Sequence, residues 1–190
     1  RIRGEKQLTL SELHALCSHF NISFDQLMNR QTDAFLFNGR LADPRTFNFS
    51  EYMTNVVQNT AYLTNFREKE FYYLSKDIPV FHYFHFREFA AFKYFFWVKT
   101  ILQLPGFAQS KIDFDAYPEE LFEKGKKCLY YYNMLDSTEL WNIETVHSSI
   151  RQIDFYREAG FFNSTEDAWR VYDALEKLTI LIEQQAATGI

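Results

Sequence analysis

Between Ile78 and Leu104 the sequence concentrates aromatic side chains far more densely than a solvent-facing segment requires. Ten Phe, Tyr and Trp residues fall within the seventeen positions from Phe81 to Trp97. Aromatic side chains bury large areas and dominate the energetics of cores and interfaces. We therefore expect this stretch to form a core, a subunit interface or the wall of a ligand pocket, with the other elements arranged to cover it.

From about Arg87 the stretch has helical periodicity, which ends before Pro105, and its apolar side chains divide into two faces. We assign one face to the core of the protein, namely Ala90, Ala91, Tyr94, Val98, Ile101 and Leu102. The other face holds three phenylalanines interleaved with charged side chains, so it belongs to the core, to a dimer interface or to a ligand pocket. The candidates for an interface or a pocket, including residues elsewhere, are Phe89, Phe92, Phe96, Lys93, Trp97, Trp141 and Tyr156.

The last two candidates come from the predicted junction of the last three helices, where polar and aromatic side chains meet around Glu139, Trp141, Gln152 and Tyr156. Buried polar groups are normally hydrogen-bonded. The group at this junction therefore either anchors a ligand or forms a hydrogen-bonded network within the bundle.

Capping signals and apolar periodicity place the other helices. Thr9 and Glu12 have the spacing of a capping box at the start of a short helix from Leu8 to Phe20. The inward face predicted for this helix is Leu10, Leu13, Leu16, Cys17 and Phe20. Ser23 is predicted to cap a second short helix. Four long helices are predicted to begin at Ser50, Pro118, Asn142 and Ser164.

These patterns predict an all-α fold, with a helical bundle of about five long helices and a small two-helix N-terminal piece. Six Gly and four Pro are few for the many turns of an all-β sandwich. Minor short strands remain an alternative at Phe35–Phe37 and at Phe71–Leu74, which could pair with each other. The predicted boundaries are residues 1–30 for the N-terminal piece, 31–48 for a linker and 49–190 for the helical domain.

Charge and cysteine usage exclude several classes of protein. A formal net charge of −5 argues against nucleic acid bound over the whole surface, although a local basic site remains compatible with it. Cys17 and Cys128 lack the spacing of metal ligands and fit reduced thiols in a cytoplasmic protein. Charged residues interrupt the longest apolar stretch, so we expect no membrane span and no membrane partner.

We expect neither an enzyme nor a bound cofactor. His82 and His85 are three residues apart near Glu88, but they have no third ligand and lack the spacing of a zinc hydrolase. Motifs typical of nucleotide binding, acyl transfer and zinc hydrolysis do not occur in the sequence. Acidic pairs such as Glu119-Glu120 fall in first helical turns, where they complement the helix dipole. No residue is therefore predicted to be catalytic or to bind a metal.

The opening residues have a recognisable order of turns and helices. A basic turn, Arg1-Ile2-Arg3-Gly4, precedes the first short helix, the bend Asn21-Ile22-Ser23-Phe24-Asp25 follows it, and a closing helix runs to Met28. This segment resembles the C-terminal third of a Cro-like, repressor-type helix-turn-helix domain. The later patterns "KDIP…F…FKYFFW" and "ELWN…QI…G" are similar to uncharacterised helical C-terminal regions of some bacterial regulators of this type.

The resemblance implies a bacterial, cytoplasmic transcriptional regulator that binds DNA. Family members place a recognition helix in the major groove, and nearly all of that helix is missing from this sequence. Only Arg1, Arg3 and Lys6 are carried over, as contacts to the DNA backbone, so this segment alone should bind DNA weakly or not at all. Residues 1–30 would then be the remnant of the DNA-binding domain.

Repressor-type domains usually bind two half-sites as dimers. Residues 49–190 are accordingly expected to be an effector or dimerisation domain of a homodimer that responds to a small apolar effector. A second argument for the homodimer is that a helix apolar on both faces has more surface than one bundle covers. The alternative is a helical protein-interaction module without DNA binding, in which the N-terminal helices only pack on the bundle.

Overall fold

The computed structural model describes residues 8–24 and 43–188. The chain divides into two compact units, Arg1–Leu41 and Ala42–Ile190. The first unit contains helix α1 (Leu10–Phe20). Five further α-helices and a pair of strands belong to the second unit, which carries the candidate site.

Local hydrogen bonds set both ends of α1. The Thr9 side chain accepts a hydrogen bond from the Glu12 N–H, and the Glu12 carboxylate accepts one from the Thr9 N–H, so the predicted capping box is present. The helix ends at Asn21, which adopts a left-handed conformation with φ 52°. Helical structure begins again at Phe24, and the rest of the second predicted helix lies outside the described residues.

The prediction that one face of α1 points inward is wrong, because no residue of this helix is buried. Leu10 is 75% exposed and Phe20 is 64% exposed. A single short helix cannot bury its own apolar stripe. Capping residues therefore located the helix without showing what covers it.

The second unit is mostly helical. Its long helices are α2 (Phe49–Leu63), α3 (Arg87–Phe96), α4 (Glu119–Tyr132), α5 (Ile143–Glu158) and α6 (Thr165–Thr188). A 3-10 helix (Val80–His85) leads into α3, a π-helical turn (Trp97–Ile101) extends it, and a short 3-10 helix (Pro105–Phe107) follows. The predicted helical fold class is confirmed. Across residues 8–24 and 43–188, no helix has the length and apolar character needed to cross a membrane.

Two short strands interrupt the helices. Strand β1 (Glu70–Leu74) pairs in parallel with β2 (Asp136–Leu140), with Glu70 opposite Asp136 and Leu74 opposite Leu140. The ambiguous segment Phe71–Leu74 is therefore a strand, and its partner is β2, which sequence periodicity did not identify. The proposed pairing with Phe35–Phe37 lies outside the described residues.

The core of this unit surrounds α3 on both sides. Phe89 and Phe92 are completely buried, and so is Val98 on the face that was assigned to the core. The Phe92 ring packs against Tyr156 and Phe162, with centroids 5.5 Å and 6.0 Å away. Both faces of this helix are therefore covered within one unit, which removes the surface argument for a homodimer.

One predicted core residue of this region is exposed. Ile101 is 52% exposed, whereas Leu102 next to it is buried. The cause is the π-helical turn, in which the Leu102 N–H donates to the Trp97 carbonyl at 2.8 Å. This five-residue spacing adds a residue to the turn and rotates the later side chains away from the α-helical pattern.

Helix α4 approaches the 3-10 helix closely at a glycine. A Cβ atom on Gly125 would overlap the ring of Phe84, which is itself buried. The absence of a side chain at this position lets the two segments come together. This contact positions His82, in the same 3-10 helix, beside the C-terminal end of α4.

Candidate functional site

A cleft of about 520 Å³ opens between the C-terminal end of α4, strand β2, the start of α5 and the last turns of α6. Its apolar lining comes from Tyr132, Leu135, Trp141, Val146, Ile182 and Ala186. Its polar lining comes from His82, Asn133, Ser137, Glu139, Thr179, Glu183 and Gln185. A concave, partly apolar cleft with a few convergent polar groups is the usual form of a small-molecule site.

Glu139 is the centre of the polar cluster in this cleft. Nε2 of His82 lies 2.8 Å from Oε1 and 3.0 Å from Oε2 of this carboxylate. Nε1 of Trp141 donates to Oε2 at 2.6 Å, and the Tyr132 hydroxyl donates to Oε1. The carboxylate thus holds an imidazole, an indole and a phenol from three different segments in fixed positions.

The sequence positions these four side chains through local geometry. Glu139 lies in the last residues of β2 and Trp141 directly follows the strand, two residues on, so an extended backbone directs both side chains to the same side. Tyr132 is the last residue of α4, and its ring stacks on Phe81 with centroids 4.1 Å apart. Phe81 precedes His82 in the 3-10 helix, which brings the imidazole to the same cluster.

The cluster keeps Glu139 ionised. Burial on its own raises the pKa of Glu139, but the hydrogen bonds from His82, Tyr132 and Trp141 outweigh burial and lower this pKa below its ordinary value. Burial, followed by the hydrogen bond to Glu139, raises the pKa of Tyr132. The phenol therefore remains a hydrogen-bond donor at neutral pH, and the carboxylate remains an acceptor.

Two histidines lie side by side behind the cluster. The rings of His82 and His85 are nearly parallel, with centroids 5.9 Å apart. Nδ1 of His82 and Nε2 of His85 are buried without a hydrogen-bond partner among the described residues. The described part of the chain contains no group of three or more His, Cys, Asp or Glu side chains arranged to hold a metal ion.

His85 gives the stability of the protein a specific pH dependence. Burial, followed by the charge on neighbouring His82, lowers the pKa of His85 from 6.5 to about 4. The unfolded chain therefore binds a proton at His85 between these two pH values, whereas the folded chain does not. The free energy of unfolding is therefore unaffected by His85 above pH 6.5 and decreases as the pH falls from 6.5 towards 4.

We expect the free energy of unfolding to fall by roughly 1 kcal/mol across this window because of His85, since solvent screening reduces the effect on a part-buried ring. Urea denaturation at several pH values, for the parent protein and for His85→Phe, measures it. The variant should show a flatter profile between pH 6.5 and 4. Identical slopes for the two proteins would contradict this explanation.

A second polar cluster lies in the core. Nζ of Lys93 lies 2.8 Å from each of three acceptors, namely both carboxylate oxygens of Asp77 and Oε1 of Gln152. Ser149 also donates to Asp77 at 2.7 Å. Burial lowers the pKa of Lys93 to about 8, although Asp77 opposes this shift. All three ammonium protons have acceptors, so this cluster holds α3, α5 and the turn before the 3-10 helix together.

A smaller cavity of about 240 Å³ adjoins that cluster. Aromatic side chains, including Tyr52, Tyr94 and Trp97, form much of its wall, and Asp77 and Lys93 also reach it. All three ammonium protons of Lys93 are engaged, so this side chain has no free hydrogen bond to offer a ligand in the cavity.

The structure separates the predicted interface and pocket residues into three groups. Phe89, Phe92 and Tyr156 are completely buried in the core, and the part-buried Phe96 packs against that core. Lys93 and Trp97 border the smaller cavity. Trp141 alone among these candidates lines the larger cleft. Arg1, Arg3 and Lys6, the predicted contacts to the DNA backbone, lie outside the described residues.

Sequence reasoning did not select several residues of the cleft. His82 stood out in the sequence only as a candidate metal ligand. Helix α6 contributes several residues, among them Glu183, which meets the cleft only through tertiary packing that no local pattern records. The one usable signal was the sequence Glu139-Leu140-Trp141, an acid beside an indole at a helix junction.

Comparisons of this chain with protein-family models, with curated proteins and with solved structures returned no match. The function of the chain must therefore be inferred from its own residues and their geometry.

Proposed function

We propose that this chain belongs to a DNA-binding transcriptional regulator and that its second unit is a ligand-responsive regulatory unit. The cleft at Glu139 is the observation that carries the regulatory part of the proposal. The DNA-binding part rests on the resemblance of the opening residues to a Cro-like domain. The proposal places the protein in the cytoplasm of a bacterium.

The geometry of α1 supports the DNA-binding part. The resemblance requires a short capped helix, a bend and a closing helix in that order. The capping box at Thr9, the left-handed Asn21 and the renewed helix at Phe24 have this order and spacing. In repressor-type domains such helices support a recognition helix that lies in the major groove.

The construction of the cleft supports the regulatory part. A ligand in it would touch β2, the end of α4 and the last turns of α6 at once. A ligand that binds one arrangement of these elements more tightly than another shifts the population towards that arrangement. The hydrogen-bonded Glu139 cluster forms a fixed wall of the cleft. The end of α6 is exposed, so we expect a ligand to shift the position of this helix end more readily than that of the cluster.

The proposal includes a homodimer, on a surface other than the Phe89, Phe92 and Phe96 face of α3. Phe89 and Phe92 are enclosed in the core, so they are not accessible to a second subunit. Large apolar side chains are instead exposed on the two strands, where Tyr72, Leu74 and Leu140 are 72%, 76% and 61% exposed. Exposed apolar patches of this kind are typical of association surfaces.

A gel-shift experiment tests DNA binding. The complete product of the gene is titrated onto its own promoter region and onto a random duplex of equal length, at several salt concentrations. We expect a discrete complex on the promoter that contains two protein chains and weakens steeply with salt, because phosphate contacts release counterions. The number of chains in the complex is measured by light scattering.

Equal binding to both duplexes, or no complex at low salt, would contradict the regulator. The helical protein-interaction module without DNA binding would then be the better description. A complex that contains a single chain would contradict the homodimer and leave sequence-specific DNA binding intact.

A further inference from the structure

We propose that the cleft at Glu139 binds an apolar organic cation, such as an amine with an aromatic or alkyl tail. This inference deepens the proposed function, and only its regulatory consequence rests on that function. It is carried by the charge of the cleft, by the fixed position of its aromatic side chains and by its apolar volume.

The charged side chains of the cleft are unfavourable for an anion. Glu139 and Glu183 line it, and none of the described lining residues is Lys or Arg. His82, the single basic side chain in the lining, is already engaged by Glu139 at 2.8 Å. Glu183 makes no hydrogen bond or ion pair within residues 8–24 and 43–188. A cleft lined by one sign of charge concentrates ligands of the opposite sign.

The aromatic rings of the cleft are held in fixed positions. The hydrogen bond from Nε1 of Trp141 to Glu139 fixes the indole, and the hydroxyl of Tyr132 is bound to the same carboxylate. Indole is the best aromatic partner for an organic cation. Tyr132 is only 3% exposed and stacks on Phe81, so Trp141 is the ring that a ligand would contact. Rings that are already ordered lose little conformational freedom when a ligand binds.

The hydrogen bonds of Glu139 indicate how a cation would be attracted. Oε1 lies within hydrogen-bond distance of His82 and Tyr132, and Oε2 within reach of His82 and Trp141. This carboxylate is therefore occupied, and it acts on a ligand through its field and through the rings that it orients. Glu183, on the exposed side of the cleft, has both oxygens available for direct contact with an ammonium group.

The remaining lining fits an apolar tail. Leu135, Val146, Ile182 and Ala186 contribute aliphatic surface to a space of about 520 Å³. Pockets for small organic molecules have volumes of this order and are mostly apolar with a few polar groups. A small hydrated metal ion would leave this surface without a partner.

Three ligands that share a tail test the inference directly. Phenylpropylamine, phenylpropanol and phenylpropionate are titrated into the protein, in the absence of DNA, by calorimetry and by thermal shift at neutral pH. We expect the amine to bind at least about tenfold more tightly than the alcohol, because it adds charge attraction and a cation–π contact. The carboxylate should bind more weakly than the alcohol.

Two variants and a control identify the site. Glu183→Gln keeps the size of an exposed side chain and should weaken amine binding about threefold or more, and Trp141→Leu should weaken it about fivefold or more. Glu176→Gln, an exposed change on the same helix outside the cleft, should leave it unchanged. Circular dichroism confirms that each variant is folded.

Failure of the amine to bind, or equal affinity for the amine and the alcohol, would overturn the inference, and so would equal losses in Glu183→Gln and Glu176→Gln. These results are independent of the gel shift. Amine binding without a specific DNA complex leaves the cation site valid and removes the regulator, whereas the reverse result leaves DNA binding valid and removes the cation site.

Discussion

Asp77→Asn is expected to lower the free energy of unfolding by about 3–5 kcal/mol, because it removes the charge partner of a buried ammonium group. The side chain of Lys93 is only 1% exposed, and its ion pair with Asp77 is 2.8 Å long. An uncompensated charge in that position must either stay buried at high cost or lose its proton. Urea denaturation at neutral pH measures the loss.

The chain offers a matched control for this substitution. Asp173 pairs with Lys177 on the surface of α6, where both side chains are 58% exposed, so Asp173→Asn should cost less than about 1 kcal/mol. The double variant Asp77→Asn, Lys93→Met should be more stable than Asp77→Asn alone, since it removes the stranded charge. Similar losses for Asp77→Asn and Asp173→Asn would show that the core cluster does not hold the helices together.

Phe92→Glu is expected to prevent the second unit from folding. Phe92 is completely buried, and its ring lies against Tyr156, Phe162 and Phe96. A glutamate there places a polar and charged group in a buried aromatic environment, at a cost above about 4 kcal/mol. That cost is a large part of the total stability of an ordinary domain, about 5–15 kcal/mol.

The readouts are circular dichroism, near-ultraviolet aromatic signals and gel filtration. Phe155→Glu is the control, because Phe155 precedes the buried Tyr156 on α5 but is 55% exposed, and it should change stability by less than about 1 kcal/mol. A folded, monomeric Phe92→Glu protein would contradict the core assignment and would indicate that this ring belongs to a subunit interface.

Helix positions were the most predictable part of this structure, because their signals are local. The capping box at Thr9 and the cap at Asn142 both appear at the predicted positions. The predicted cap of α2 is wrong, since Asn48 rather than Ser50 caps this helix. Ser50 instead donates a hydrogen bond to Glu120, a contact across seventy positions that no local pattern contains. Short-range geometry is sufficient to begin a helix and is not sufficient to choose between two neighbouring caps.

The candidate site was much less predictable than the helices. Glu139 and Trp141 stand out in the sequence as a polar and aromatic group at a helix junction. Their partners come from other elements: His82 is 57 positions away from Glu139, and Tyr132 ends α4. The pairing of β1 with β2 brings these segments together. Strand pairing across more than sixty positions depends on contacts between distant segments, which periodicity does not record.

The sequence alone determined that this chain would be helical, where most of its helices begin, and that the aromatic stretch would be central, because periodicity, capping and side-chain volume act over a few residues. Only the tertiary structure decided which aromatic rings are enclosed. It covered both faces of α3, turned Ile101 outwards through a π-helical turn, and left Trp141 in an acidic cleft. The physical reason is that burial depends on what packs against a side chain, and those partners come from distant parts of the chain.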